Sequence, residues 1–144
     1  MRLHASCAAR PGPDGFDAVL LLGAPGAGKS DFLLRLIDAG FELVADDQVL
    51  VADGMASAPP SLAGLLEIRG LGIFRLPYRA AAPLRLAVEL GVQPVRLPEP
   101  AIHAATGLPL VTLDPAAPSA VARLGLALQA ACGRISQRAG AFAR

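Results

Sequence analysis

The segment Gly23-Ala24-Pro25-Gly26-Ala27-Gly28-Lys29-Ser30 has glycines separated by four residues, then a lysine and a hydroxyl residue. This is the pattern of a phosphate-binding loop. Each residue type has a task in that chemistry. Glycines let backbone N–H groups close around phosphate oxygens. A lysine placed next can reach the β- and γ-phosphates, and the following hydroxyl can hold Mg²⁺. The ligand class this implies is ATP with Mg²⁺. A tight strand-to-helix turn carrying a chance lysine is the plainer alternative.

The flanks suit the loop. Ala18 to Leu22 is an apolar run that predicts a buried strand. Asp31 to Ala39 predicts a helix beginning at Lys29, with Phe32, Leu33, Leu36 and Ile37 on one face and Gly40 as its stop. A helix starting at the loop adds positive partial charge where phosphate would sit.

A second constellation is Asp46-Asp47, directly after the apolar run Phe41 to Ala45. In open α/β sheets, ligands bind beyond the carboxyl ends of strands. If this strand lies beside the phosphate-loop strand, one carboxylate can hold Mg²⁺ or take a proton from an attacking hydroxyl. Side chains alternate along a strand, so only one of the pair is expected to do chemistry. Two solvated aspartates in a turn are the alternative. Glu67 and Arg69 share a face if Leu66 to Phe74 is extended, offering a metal ligand and a phosphate partner or, equally, a surface ion pair. His4 is a lone histidine, ordinarily a packed or capped residue.

Around these residues the sequence predicts an α/β arrangement. Strands are expected over Leu3 to Ala8, Val49 to Val51, Leu84 to Leu90 and Leu108 to Leu113. Leu84, Leu86, Val88 and Leu90 should share one face. Arg10 to Gly15 and Asp53-Gly54 read as turns, and Met55 to Leu65 as loop. Pro77 and Pro83 should bracket a surface turn, and Val95 to Pro109 reads as proline-punctuated loop. Ser119 is a plausible N-cap for a last helix burying Val121, Leu124 and Leu128, and residues 139–144 read as a frayed tail.

The chain has 144 residues, 53% hydrophobic and 17% charged, which suits one folded domain over 1–144 and excludes a disordered chain. Net charge is +1 with scattered basic residues, which argues against nucleic-acid partners. The longest apolar run, Ala18 to Pro25, is too short to span a bilayer, so no membrane partner is expected. Cys7 and Cys132 have no metal-site or redox-pair spacing and read as ordinary thiols of a reducing compartment. The N-terminus has no apolar signal core, and the expected location is the cytoplasm.

Four runs, in order, resemble the catalytic domain of bacterial HPr kinase/phosphorylase. They are His-Ala-Ser-Cys from His4, the phosphate loop, Leu-Val-Ala-Asp-Asp over Leu43 to Asp47, and Leu-Glu-Ile-Arg-Gly-Leu-Gly over Leu66 to Gly72. The last is close to the family signature. The resemblance is to the short α-proteobacterial form without an N-terminal domain. It implies a phosphate-loop fold of the HPr kinase and phosphoenolpyruvate carboxykinase type. It implies transfer of the ATP γ-phosphoryl group to a serine of the phosphocarrier HPr, and by family habit a hexamer.

By that resemblance Lys29 polarises the transferred phosphate, and Ser30 and Glu67 hold Mg²⁺. Asp47, or else Asp46, is the base for the serine hydroxyl. His4 matches the family's active-site histidine, and Arg96 is matched loosely to a catalytic arginine. Family members with both activities carry an arginine-bearing loop near the C-terminus. Here Leu113 to Ser119 stands in its place without arginine, so the kinase direction is expected to be retained and the phosphorylase direction to be weak or absent. A catalytically weak ATP-binding sensor of the phosphotransferase system is the competing reading. A small-molecule kinase is a third, and it would need an arginine-rich lid that the sequence does not show.

Overall fold

The computed structural model describes residues 1–93 and 95–143. Its strands are β1 (Arg2–Leu3), β2 (Ser6–Gly12), β3 (Gly15–Leu22), β4 (Glu42–Ala45), β5 (Val49–Ala52), β6 (Met55–Ser57), β7 (Leu65–Ile68), β8 (Gly72–Arg75), β9 (Ala82–Leu90) and β10 (Leu110–Leu113). Its helices are α1 (Lys29–Asp38) and α2 (Ala120–Ala131). The main sheet runs β1-β5-β6-β9-β3-β2-β4, with β10 parallel to β9, and β7-β8 form a separate hairpin.

Strand direction decides where the site forms. β2 lies between β3 and β4 and is antiparallel to both. β3 and β4 therefore run the same way. The loop after β3 and the residues after β4 leave the sheet at one end, and β2 begins at that end. The condition set for Asp46-Asp47, a strand lying directly beside the phosphate-loop strand, is not met, because β2 lies between the two. The intervening β2 is what delivers His4 and Ser6 to the same edge.

Alternation along β2 and β3 splits the core in two. Ala8, Val19 and Leu21 face α1 and α2, packing with Phe32, Leu33, Leu36, Leu124 and Leu128. Cys7, Ala9, Ala18 and Leu20 face the other way, against Val49, Val51, Ala56 and Ala82. That second layer is rich in alanine, whose small side chains let the sheet's own edge, β5 and β6, close over it. Leu84 belongs to this layer, while Leu86, Val88 and Leu90 belong to the helical one. The expected shared face breaks at Arg85, where the β3–β9 register slips between Ala18–Leu84 and Val19–Leu86.

Other expectations are adjusted. The first strand is interrupted, and its main part starts at Ser6 and continues to Gly12. Met55–Ser57 is a strand closed by a turn in which Asp53 and Gly54 both have positive φ, 52° and 74°. Pro83 lies inside β9. Ser119 precedes α2 without a side-chain cap bond; its Oγ accepts from Arg123 Nε at 2.8 Å. Within the tail, Phe142 packs on the helical core and its N–H donates to Gln137 Oε1 at 2.7 Å. Arg144 lies outside the described residues.

Far from the loop end of β3, Asp17 is buried between Arg134 (2.7 Å) and Arg85 (3.3 Å). Burial pushes its carboxyl up. The hydrogen bonds and charges of Arg134 and Arg85 more than offset this and hold it below the usual carboxylate range. The pair ties the segment after α2 to β3. Cys7 and Cys132 are both free, and burial pushes both thiols up.

Candidate active site

A cleft of about 820 Å³ opens at the sheet end described above, and its walls come from four stretches of chain. Pro25, Gly26, Gly28, Lys29, Ser30 and Asp31 supply one side. His4 and Ser6 come from the start of β2, and Asp46 and Asp47 from the end of β4. Glu67 to Gly72, from the β7–β8 hairpin, form the facing wall. The hairpin is anchored by Leu66, which is fully buried in the helical core. That contact carries the neighbouring Glu67 and Arg69 to the cleft.

The loop has the backbone a phosphate cradle needs. Gly26 and Gly28 have φ of 83° and 94°, and Gly28 is the N-cap of α1. Left-handed glycines within such a turn build a concave nest of N–H groups at a helix start. Lys29 is buried, and its Nζ donates to the carbonyls of Gly23 at 2.7 Å and Ala24 at 3.3 Å. Those bonds hold the ammonium against the loop instead of letting it swing in solvent.

The two aspartates face different partners. Asp46 accepts from Ser30 Oγ at 3.0 Å through Oδ1 and 3.1 Å through Oδ2, and from Ser6 Oγ at 2.7 Å. Asp47 has a positive φ of 70°. That conformation takes its side chain away from Asp46 to lie 3.4 Å from His4 Nδ1, with both side chains more than half exposed. Sequence alternation predicted this divergence; the cause is the left-handed residue, since β4 ends at Ala45.

The donor set at Ser30 and Asp46 is all oxygen, with Glu67 in the same cleft. Mg²⁺ prefers such hard ligands, few from protein and the rest from water and phosphate. The described residues contain no cluster of three or more His, Cys, Asp or Glu, the arrangement a caged transition metal would need. The residues present therefore fit Mg²⁺ carried in with a phosphate ligand.

Of the residues singled out from sequence, His4, Lys29, Ser30, Asp46, Asp47 and Glu67 converge on this cleft, as does part of the loop from Gly23 to Ser30. Arg96 does not. It lines a second cleft with Arg123, Leu126 and Phe142, together with Leu113 and Asp114 of the arginine-free loop. The loose match that suggested Arg96 is not supported by position. Ser6 went unassigned in the sequence, though its spacing from His4 is the two-residue repeat of an extended chain and could have drawn attention to it.

Residues 16–78 match the family model described as the HPr Serine kinase C-terminal domain. Over this segment, a little under half of its length, the chain is similar to the HPr kinase C-terminal domain family. It is 44% identical over 63 residues to HPr kinase/phosphorylase 1 of Oceanobacillus iheyensis, covering 40% of this chain and 20% of that protein. It is 42% identical over 89 residues to the HPr kinase/phosphorylase of Burkholderia cenocepacia, covering 56% and 28%. The matched segments thus span between a fifth and just over a quarter of these relatives. The solved Hpr(Ser) kinase/phosphatase of Coxiella burnetii superposes with a TM-score of 0.68 at 23% identity, over 88% of this chain and 86% of that one. That likeness extends the shared α/β fold beyond the matched segment. No helix among the described residues is long and apolar enough to cross a membrane.

Proposed function

We propose that this chain is an ATP-dependent protein-serine kinase whose substrate is the phosphocarrier HPr. One observation carries the reading above the others. Asp47 stands apart from the Ser30–Asp46 pair, beside His4, in the cleft that holds the phosphate loop. A site that only bound nucleotide would have no use for a second, outward carboxylate on a left-handed residue.

The roles follow from the chemistry of each group. The loop glycines and the start of α1 hold the phosphates, and Lys29 offsets charge on the group in transit. Mg²⁺, when bound, neutralises charge on the β- and γ-phosphates. Ser30 and Glu67 would hold it, with Asp46 fixing the Ser30 hydroxyl. Asp47 accepts the proton of the incoming serine hydroxyl as the new O–P bond forms and the bond to the ADP oxygen breaks. His4, next to Asp47, orients that carboxylate. Arg69, in the facing wall, is placed to meet phosphate oxygens.

The loop from Leu113 to Ser119 contains no arginine or lysine, and free phosphate as a second substrate needs cations to hold it. We therefore assign the phosphorylase direction as weak or absent. The reaction belongs in the cytoplasm, where ATP is available and thiols such as Cys7 and Cys132 stay reduced.

The test is transfer of label from γ-labelled ATP, with Mg²⁺, to HPr of the same organism. Label on an HPr serine supports the reading. HPr that stays unlabelled while ATP binds contradicts it. Efficient formation of pyrophosphate from seryl-phosphorylated HPr and phosphate would overturn the directional assignment.

A further inference from the structure

Ser6 is fully buried, and the only other charged or polar residues that the described core buries are Asp17 and Lys29. Asp17 is held by two arginines, and Lys29 serves the phosphate loop. Ala8, two residues along β2 and so on the same face as Ser6, is apolar and equally buried in the helical core, so packing alone would accept an apolar residue on this face. The hydroxyl instead makes two different bonds. It donates to Asp46 Oδ1 at 2.7 Å and accepts from the backbone N–H of Asp47 at 3.4 Å.

The second bond bears on a costly conformation. A non-glycine residue with positive φ persists only where its surroundings hold it. The start of β2 grips Asp47 on both sides, since Ala5 N–H donates to the Asp47 carbonyl at 3.2 Å while Ser6 receives the Asp47 amide. The same hydroxyl turns Asp46 toward Ser30.

We propose that Ser6 is a positioning residue that sets both acids of the site at once. Its donor holds Asp46 against the Ser30 hydroxyl, and its lone pair holds Asp47 in the turn that faces His4. Loss of the hydroxyl then loosens the metal side and the proton-accepting side together. The inference rests on the phosphate-site reading given above.

The experiment compares Ser6→Ala, Ser6→Thr and Ser6→Val with the unaltered protein. Thr and Val have nearly the same shape and differ in the hydroxyl, which separates bonding from packing. Affinity for a fluorescent ADP analogue is titrated with and without Mg²⁺, alongside thermal unfolding and transfer to HPr. Ser6→Ala and Ser6→Val should keep Mg²⁺-free nucleotide affinity and need about tenfold to a hundredfold more Mg²⁺, the usual effect of removing a group that orients a metal ligand. Transfer kcat should fall with the KM for ATP unchanged, and Ser6→Thr should recover both. Valine performing as well as threonine overturns the inference. So does an effect confined to the unfolding temperature. An unaltered protein without Mg²⁺-dependent nucleotide binding overturns the phosphate-site reading itself, and this inference with it.

Discussion

Asp47 lies 3.4 Å from His4, while Asp46, its chain neighbour, is bonded to Ser30. One left-handed residue separates a carboxylate bonded to Ser30 and Ser6 from a carboxylate beside His4, and under the proposed function the first serves the metal and the second the substrate hydroxyl. The division assigns different consequences to the two acids. Replacing Asp46 should disturb Mg²⁺ dependence, and replacing Asp47 should disturb proton transfer.

Under the proposed function Lys29, held on the loop by the Gly23 and Ala24 carbonyls, offsets charge on the transferred phosphate. Lys29→Ala should lower kcat by roughly a hundredfold to a thousandfold, the usual effect of removing one positioned transition-state donor. Steady-state transfer to HPr at saturating ATP measures it. A Lys29→Ala protein with near-normal kcat would remove the lysine from the chemistry.

Asp17 makes stability depend on pH. Its carboxyl lies below the usual range in the folded protein, so the folded state prefers it ionised. Such a group stabilises fully above its unfolded pKa, about 3.9, and the stabilisation is lost as pH falls through the folded value. Asp17→Asn should therefore unfold at lower temperature than the unaltered protein at pH 7. The gap should narrow steadily below about pH 4. A gap that stays constant on acidification would show that the charge is not the source.

Leu124 is fully buried where α2 meets the sheet. Leu124→Ala should cost about 2–5 kcal/mol of stability, as truncations of buried leucines do. Denaturant unfolding measures the loss. Because α2 contributes nothing to the cleft lined by the phosphate loop, nucleotide affinity of the folded variant should be unchanged.

The phosphate loop, its strand and α1 were legible in the sequence because everything they need is contiguous. Glycines, lysine, hydroxyl and the apolar stripe of Phe32, Leu33 and Leu36 follow one another without interruption. The carboxylates were legible as candidates for a place near the loop, but not the strand order that brings them there. Their approach depends on β2 being antiparallel to both β3 and β4, a non-local pairing that no local pattern encodes. The face of Leu84 was misread because one slip at Arg85 inverts the alternation. β6 was missed because Met55-Ala56-Ser57 is too short to show a period, although the Asp53-Gly54 pair before it is a hairpin signal. Arg96 was placed by a loose sequence match, and three-dimensional position sends it to another cleft.

The central claim is that Asp47 takes a proton during phosphoryl transfer to an HPr serine. The most direct measurement compares the unaltered protein with Asp47→Asn, recording transfer from γ-labelled ATP to HPr and nucleotide affinity on the same preparations. The account predicts that transfer falls by about a hundredfold to ten-thousandfold, the usual worth of one positioned base, while nucleotide affinity holds. Transfer that survives in Asp47→Asn, or an unaltered protein that binds ATP and labels nothing, would contradict it.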